Sequence, residues 1–259
     1  MAGLSSNQIK FIRSLSQKKF RQESGLFVAE GEKIVNEALS SPFKVKAVYR
    51  SSEIGEECMK RISNLASPSP VLAVIEQRRE ELRFDADKLA AHLKNATSGT
   101  PLFLALDGVK DPGNMGTIIR SADALGAQGI ILSKGCVDIF NPKVVRSTMA
   151  SLLNVPVFID TDTSGTFGTL KDMGYDIVGT FPKAKVLSCD YSYSKKTVLV
   201  MGNEANGISQ EVENHCTSAV TIPMLGNAES LNVATACTVM LYEIMTKKIK
   251  LQNKERYYG

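Results

Sequence analysis

The side chains best suited to chemistry are polar residues set among glycines in three loops: Asp107 to Gly116, Val200 to Ser209, and Ile222 to Ala236. Each follows a short apolar run (Leu102–Leu106, Val198–Met201 and Ala219–Ile222) that reads as a buried strand. Each then enters a helical pattern. Parallel α/β sheets place their ligands beyond the carboxyl ends of their strands, so these loops mark a candidate site. Gly, Asn, Ser and Glu cluster in them: Asn114, then Gly202, Asn203, Glu204 and Gly207, then Ser230 and Asn232. A carboxylate, amides and a hydroxyl can hold a ligand through hydrogen bonds.

Each candidate also has a purely structural reading. Asn114, Ser230 and Asn232 sit where helices begin and would serve as caps. Arg120 on an amphipathic helix would be solvated, Glu204 would be an exposed loop acid, and the glycines would simply permit tight turns. One of Ser230 and Asn232 can cap the last helix, and the spacing does not say which.

The elements that must hold these loops alternate between strand and helix, which predicts an α/β protein. Ser5-x-x-Gln8 is a capping box opening a helix with Ile9, Ile12 and Leu15 on one stripe. Strands at Leu26–Ala29, Val45–Tyr49 and Val71–Ile75, with helices from Glu30 and Glu56, form a first small unit. Residues 83–100 read as its closing segment and a linker. The second unit begins at Pro101, with a helix from about Asn114 to Gly126. Further strands fall at Gly129–Leu132, Val155–Ile159, Asp176–Gly179, Val198–Met201 and Ala219–Ile222. Helices lie at about Asn141–Leu153, Thr166–Met173 and Ser209–Cys216. The last helix, from Ala234, has almost no charged face and should be buried on nearly every side. Tyr257 and Tyr258 could stack on bases, but read more simply as a frayed end.

Composition narrows the function classes. The five cysteines are scattered and never paired as C-x-x-C, and the only histidines are His92 and His215. A disulfide framework, a zinc site and a Ser-His-Asp triad are therefore poorly supplied, and metal-free chemistry is expected. Neither a signal-type stretch nor a long uncharged apolar run is present, which places the chain in the cytoplasm without a membrane. Residues 1–100 carry 16 basic and 12 acidic side chains, against 15 of each in the remainder. Lys10, Arg13, Lys18, Lys19 and Arg21 all precede the first acid, Glu23. That start suits an RNA partner, although a solvated helix face explains it too.

The first loop has Gly113-x-x-Gly116 but lacks G-x-G-x-x-G, so a dinucleotide fingerprint is not supported. Three ordered motifs instead resemble the SpoU or TrmH-type branch of the trefoil-knot (SPOUT) RNA methyltransferases. They are Asn114-x-Gly116-x-x-x-Arg120-x-Ala122, Met201-Gly202-Asn203-Glu204-x-x-Gly207-Ile208-Ser209, and Ile222-Pro223-Met224-x-Gly226 with Ser230-Leu231-Asn232-Val233. The N-terminal unit, with Phe27-Val28-Ala29-Glu30-Gly31, more loosely resembles the ribosomal-protein-like RNA-binding domain that ribosomal-RNA members carry.

The resemblance implies a trefoil-knotted, mostly parallel sheet over residues 101–259 and an RNA-binding domain over 1–97. It implies methyl transfer from S-adenosylmethionine to a ribose 2′-hydroxyl, in ribosomal RNA more than transfer RNA, by a homodimer. Asn114, Arg120, Glu204, Ser230 and Asn232 would then be catalytic. Thr180, Gly202, Asn203, Gly207, Ile222, Met224 and Leu231 would hold the cofactor. The competing readings are a non-catalytic RNA-binding protein of the same fold and a nucleotide-dependent metabolic enzyme on an open sheet.

Overall fold

The structure is a computed structural model that describes residues 4–78, 100–160 and 162–258, with side chains given only to residue 250. The chain divides into two compact units, one of residues 1–80 with 138–154, the other of 81–137 with 155–259. The expected linker at 83–99, with His92, lies outside the described residues.

The first unit opens with α1 (Ser6–Ser14), whose capping box forms as the sequence predicts: Gln8 N–H donates to Ser5 Oγ and Ser5 N–H to Gln8 Oε1. Helix α2 (Lys18–Ser24) ends at Gly25 in the left-handed conformation. Then follow β1 (Leu26–Glu30), α3 (Glu32–Ser40), β2 (Val45–Arg50), α4 (Ser51–Ile54), α5 (Glu56–Ile62) and β3 (Val71–Glu76). The three strands pair antiparallel in the order β1-β3-β2. Ile9, Ile12 and Leu15 are buried against Val28, Met59, Ile62, Leu72 and Val74, so the stripe read from the sequence is the core face of α1.

The second unit is built on a seven-stranded sheet whose paired strands are all parallel. Its elements are β4 (Leu102–Leu106), α6 (Pro112–Ala124), β5 (Gly129–Leu132), β6 (Val157–Ile159), α8 (Thr163–Asp172), β7 (Asp176–Thr180), β8 (Val186–Leu187), β9 (Thr197–Met201), α9 (Gln210–Glu213), β10 (Ser218–Thr221) and α10 (Val233–Tyr258). Helix α7 (Pro142–Ser147) lies in the crossover from β5 to β6 and packs on β1, in the first unit. The α/β architecture with helices beside a parallel sheet is the expected one. Strand order is β6-β5-β4-β9-β7-β10-β8. An ordinary doubly wound sheet adds strands outward; here β9 enters between β4 and β7, two strands formed earlier in the chain.

Several boundaries differ from the sequence expectation for local reasons. Helix α6 starts at Pro112, two residues early, because Asp111 supplies the cap. The helix expected over 141–153 is broken: Met149 and Ala150 have φ of 51° and 82°, and a short 3-10 turn follows at Ser151–Leu153. Left-handed backbone at two non-glycine residues cannot continue a right-handed helix. Helix α10 buries Val233, Ala234, Cys237, Met240, Leu241 and Ile244, but Val239 and Tyr242 are exposed, so it is not covered on every side as expected. Its backbone stays helical through Tyr258, against the frayed end expected there; the side chains of Tyr257 and Tyr258 lie outside the described residues.

One basic residue of the N-terminal set does not face solvent. Arg21 is 2 % exposed; Nε and Nη2 donate to Asp138 Oδ2 at 3.1 and 2.6 Å, and Nη1 donates to the carbonyls of Leu15 and Ser16 at 2.9 and 2.7 Å. A buried guanidinium needs a carboxylate and several acceptors to offset its desolvation. Residue 138, far along the chain, therefore helps complete the first unit. In the second unit Lys248 is also buried, donating to the carbonyls of Thr100, Pro101 and Lys195.

Two stability measurements follow. Asp138→Ala strands the Arg21 charge and should cost about 3 kcal/mol in urea unfolding; a loss below about 0.5 kcal/mol would mean the pair is immaterial. Burial pulls the Lys248 pKa from 10.5 down to about 8. Between those values the unfolded chain binds the proton and the folded chain does not, so this group should make stability rise with pH across that window. Lys248→Met should flatten the rise, and an identical pH profile in the variant would refute the assignment.

Candidate active site

The first loop is anchored by the cap of α6. Asp111 Oδ1 accepts from the Asn114 backbone N–H at 2.8 Å, and Pro112 fills the first turn where a missing N–H costs nothing. Because Asp111 caps, the Asn114 side chain is free for another task. Its Nδ2 donates to Glu204 Oε1 at 3.0 Å, and its Oδ1 accepts from Asn232 Nδ2 at 3.0 Å. Asn232 in turn caps α10, accepting from the N–H groups of Ala234 and Thr235 at 2.9 and 3.3 Å. The capping role left open between Ser230 and Asn232 thus falls to Asn232. One amide joins all three loops.

The second loop is fixed from within. Asn203 and Gly207 exchange backbone hydrogen bonds, and Asn203 Oδ1 accepts from the N–H groups of Ala205 and Asn206. Its Nδ2 reaches Gly108 O at 2.7 Å and Glu204 Oε2 at 3.3 Å, tying this loop to the first. Gly207 has φ of +69°, which disfavours any side chain. At Gly202 the reason is contact: a Cβ there would run into the backbone of Gly207 and Ile208. For Glu204, partial burial raises the carboxyl pKa, but hydrogen bonds from Asn114 and from the N–H groups of Glu204, Lys110 and Asp111 outweigh it, and the net shift is downward. Glu204 is therefore a carboxylate at neutral pH.

Asp107 was not singled out from the sequence. It is 8 % exposed, and it accepts from Ser133 Oγ and from the Ser209 N–H, each at 2.7 Å. Ser133 Oγ also accepts from Gly108 N–H at 3.1 Å. This buried carboxylate ties the end of β4 to the end of β5 and to the second loop. An acid immediately after an apolar strand was the available signal.

Other candidates are not drawn into this network. Arg120 is exposed on α6, six residues after Asn114 and so about 120° round the helix from it. Among the described residues it has no hydrogen bond or ion pair with Glu204 or Asn232. Ser230, Met224 and Leu231 are likewise exposed in the third loop. Thr180, Gly202 and Ile222 stand at or just past the carboxyl ends of β7, β9 and β10, three neighbouring strands. The Thr180 hydroxyl is buried without a hydrogen-bond partner. A buried polar group with no partner costs free energy unless a ligand satisfies it, so this corner suits a small molecule bearing hydrogen-bonding groups.

Comparison with known proteins sets this geometry in context. A family model described as the SpoU rRNA Methylase family matches residues 101–242, and one described as an MRM3-like substrate binding domain matches residues 6–82. A Bacillus subtilis protein named 23S rRNA (guanosine(2553)-2′-O)-methyltransferase RlmP is 30% identical over 254 residues, covering 92% of this chain and 96% of its own. The AdoMet-bound rRNA methyltransferase from Sinorhizobium meliloti superposes with a TM-score of 0.81 at 31% identity, covering 100% of this chain and 98% of that one. The SpoU methyltransferase AviRb from Streptomyces viridochromogenes, in complex with AdoMet, gives a TM-score of 0.79 at 25% identity over 95% of this chain and 99% of its own.

The amide bridge has a direct readout. Asn114→Ala removes the strongest hydrogen bond holding the Glu204 carboxyl down, so its pKa should move up, as followed by carboxyl-carbon NMR titration. A Glu204 titration identical to that of the unmodified chain would show that the bridge does not form in solution.

Proposed function

The chain belongs to the SpoU rRNA methylase family, and from that membership we propose that it methylates a ribose 2′-hydroxyl of ribosomal RNA with S-adenosylmethionine as donor. The names of the Bacillus and Sinorhizobium relatives support both the reaction and the cofactor. The observation that carries the reading is the Asn114 amide, which brings the three loops together beside the ends of three neighbouring strands.

The buried, unpartnered Thr180 hydroxyl and the exposed third loop fit the cofactor. Thr180, Gly202, Asn203, Gly207, Ile222, Met224 and Leu231 are the residues that would hold it, through backbone groups and apolar contact. When bound, S-adenosylmethionine supplies an electrophilic methyl carbon on a sulfonium. The chain's own residues would orient the ribose 2′-hydroxyl toward that methyl group and take up the proton it releases.

A 2′-hydroxyl is a poor nucleophile, so catalysis rests on orientation and on charge stabilised in the transition state. Glu204, held ionised, is the group toward which the hydroxyl proton is directed. Asn114 and Asn232 fix that carboxylate, and Ser230 supplies a further hydroxyl from the third loop. Arg120 stays protonated throughout and would meet a phosphate of the bound RNA. It stabilises charge and does not act as base.

The N-terminal unit would capture the RNA. Ribosomal RNA is favoured over transfer RNA because that unit matches a substrate-binding domain over residues 6–82. A homodimer is part of the proposal: Val239 and Tyr242 leave an apolar strip on α10, and Tyr242 is 60 % exposed. The cytoplasm, where ribosomal RNA resides in bacteria, is the compartment that fits.

Mapping 2′-O-methyl groups in ribosomal RNA from cells with and without the gene should reveal one site lost in its absence, and an unchanged map would refute the function. Arg120→Ala should bind S-adenosylmethionine normally yet transfer methyl about 10²-fold more slowly. Undiminished turnover would remove Arg120 from the reaction.

A further inference from the structure

Helix α1 turns Ile9, Ile12 and Leu15 into the core, and at 3.6 residues per turn the opposite face carries Asn7, Lys10, Phe11 and Ser14. Phe11 is 45 % exposed there. On α2, Phe20 is 38 % exposed next to Lys18 and Lys19. Neither ring stacks on another aromatic or under a cation among the described residues.

A single exposed apolar side chain needs no explanation. Two phenylalanines on consecutive helices, in a run that contains no acid before Glu23, are a different matter. Arg21 is committed to Asp138, which leaves Lys10, Arg13, Lys18 and Lys19 at the surface; among the described residues only Lys19 has an acidic neighbour, Glu23 at 3.9 Å.

Bare aromatic rings set among surface cations match a polyanion that also offers flat apolar faces. Unpaired nucleotides provide both, whereas a duplex buries its base faces in its own stack. We propose that the α1–α2 surface binds unpaired RNA, with Phe11 and Phe20 stacking on bases and Lys10, Arg13, Lys18 and Lys19 neutralising phosphates. The inference rests on the RNA-methyltransferase reading and extends it by naming the form of RNA recognised and the two side chains that read it.

The test uses the full chain with two labelled probes, an RNA hairpin with an unpaired loop and a blunt duplex of the same stem. Phe11→Ala and Phe20→Ala should each weaken hairpin binding about 10-fold, as loss of a base–aromatic stack does. Duplex binding and S-adenosylmethionine binding should not change, the latter showing that the chain is folded. Phe11→Tyr and Phe20→Tyr should restore hairpin binding. Lys18→Gln with Lys19→Gln should weaken both RNAs and flatten the salt dependence. Hairpin binding unaffected by either alanine substitution, or lost equally for hairpin and duplex, overturns the stacking assignment while leaving the methyl-transfer reading intact. Failure of the unmodified chain to bind either RNA overturns both.

Discussion

The site depends on one amide being unemployed by the helix that carries it. Asn114 stands in the first turn of α6, where its type would ordinarily serve as a cap, but Asp111 already performs that task. The amide can then use its two ends differently, donating to a carboxylate and accepting from another amide. Hydrogen bonds in such a chain polarise one another, and the alignment runs from the cap of α10 through Asn114 to Glu204. Three segments far apart in sequence thus hold one negative group.

Asp107 supports that arrangement from below. Its carboxylate accepts from a hydroxyl and a backbone N–H. An isolated buried charge is costly unless its lone pairs are used, and here each oxygen has a donor. The same interactions set the spacing between the first and second loops, so the geometry at Glu204 inherits its order from a residue that does not reach the cleft.

Much of this was legible in the sequence because it was local. The capping box of α1, the core stripe of Ile9, Ile12 and Leu15, and the glycine-bearing loops at strand ends all follow from short-range rules. The structure departed from expectation where long-range facts decide. Arg21 reads as surface charge until Asp138, 117 residues later, is seen to take it inward. The entry of strand β9 between β4 and β7 is likewise long-range, and no local pattern specifies it. The break at Met149 and Ala150 gives no composition signal, since neither residue is a usual carrier of left-handed backbone. The choice between Ser230 and Asn232 as cap depended on the backbone entering α10, which residue type alone does not specify.

The first unit is stitched from two separated pieces of chain, and this bears on assembly and on protein engineering. During synthesis the segment carrying Asp138 emerges only after the residues of β4, α6 and β5. The first 80 residues are thus not a portable cassette. An exchange of this unit between relatives has to transplant the later insert with it, or leave a guanidinium in the interior without its counter-ion.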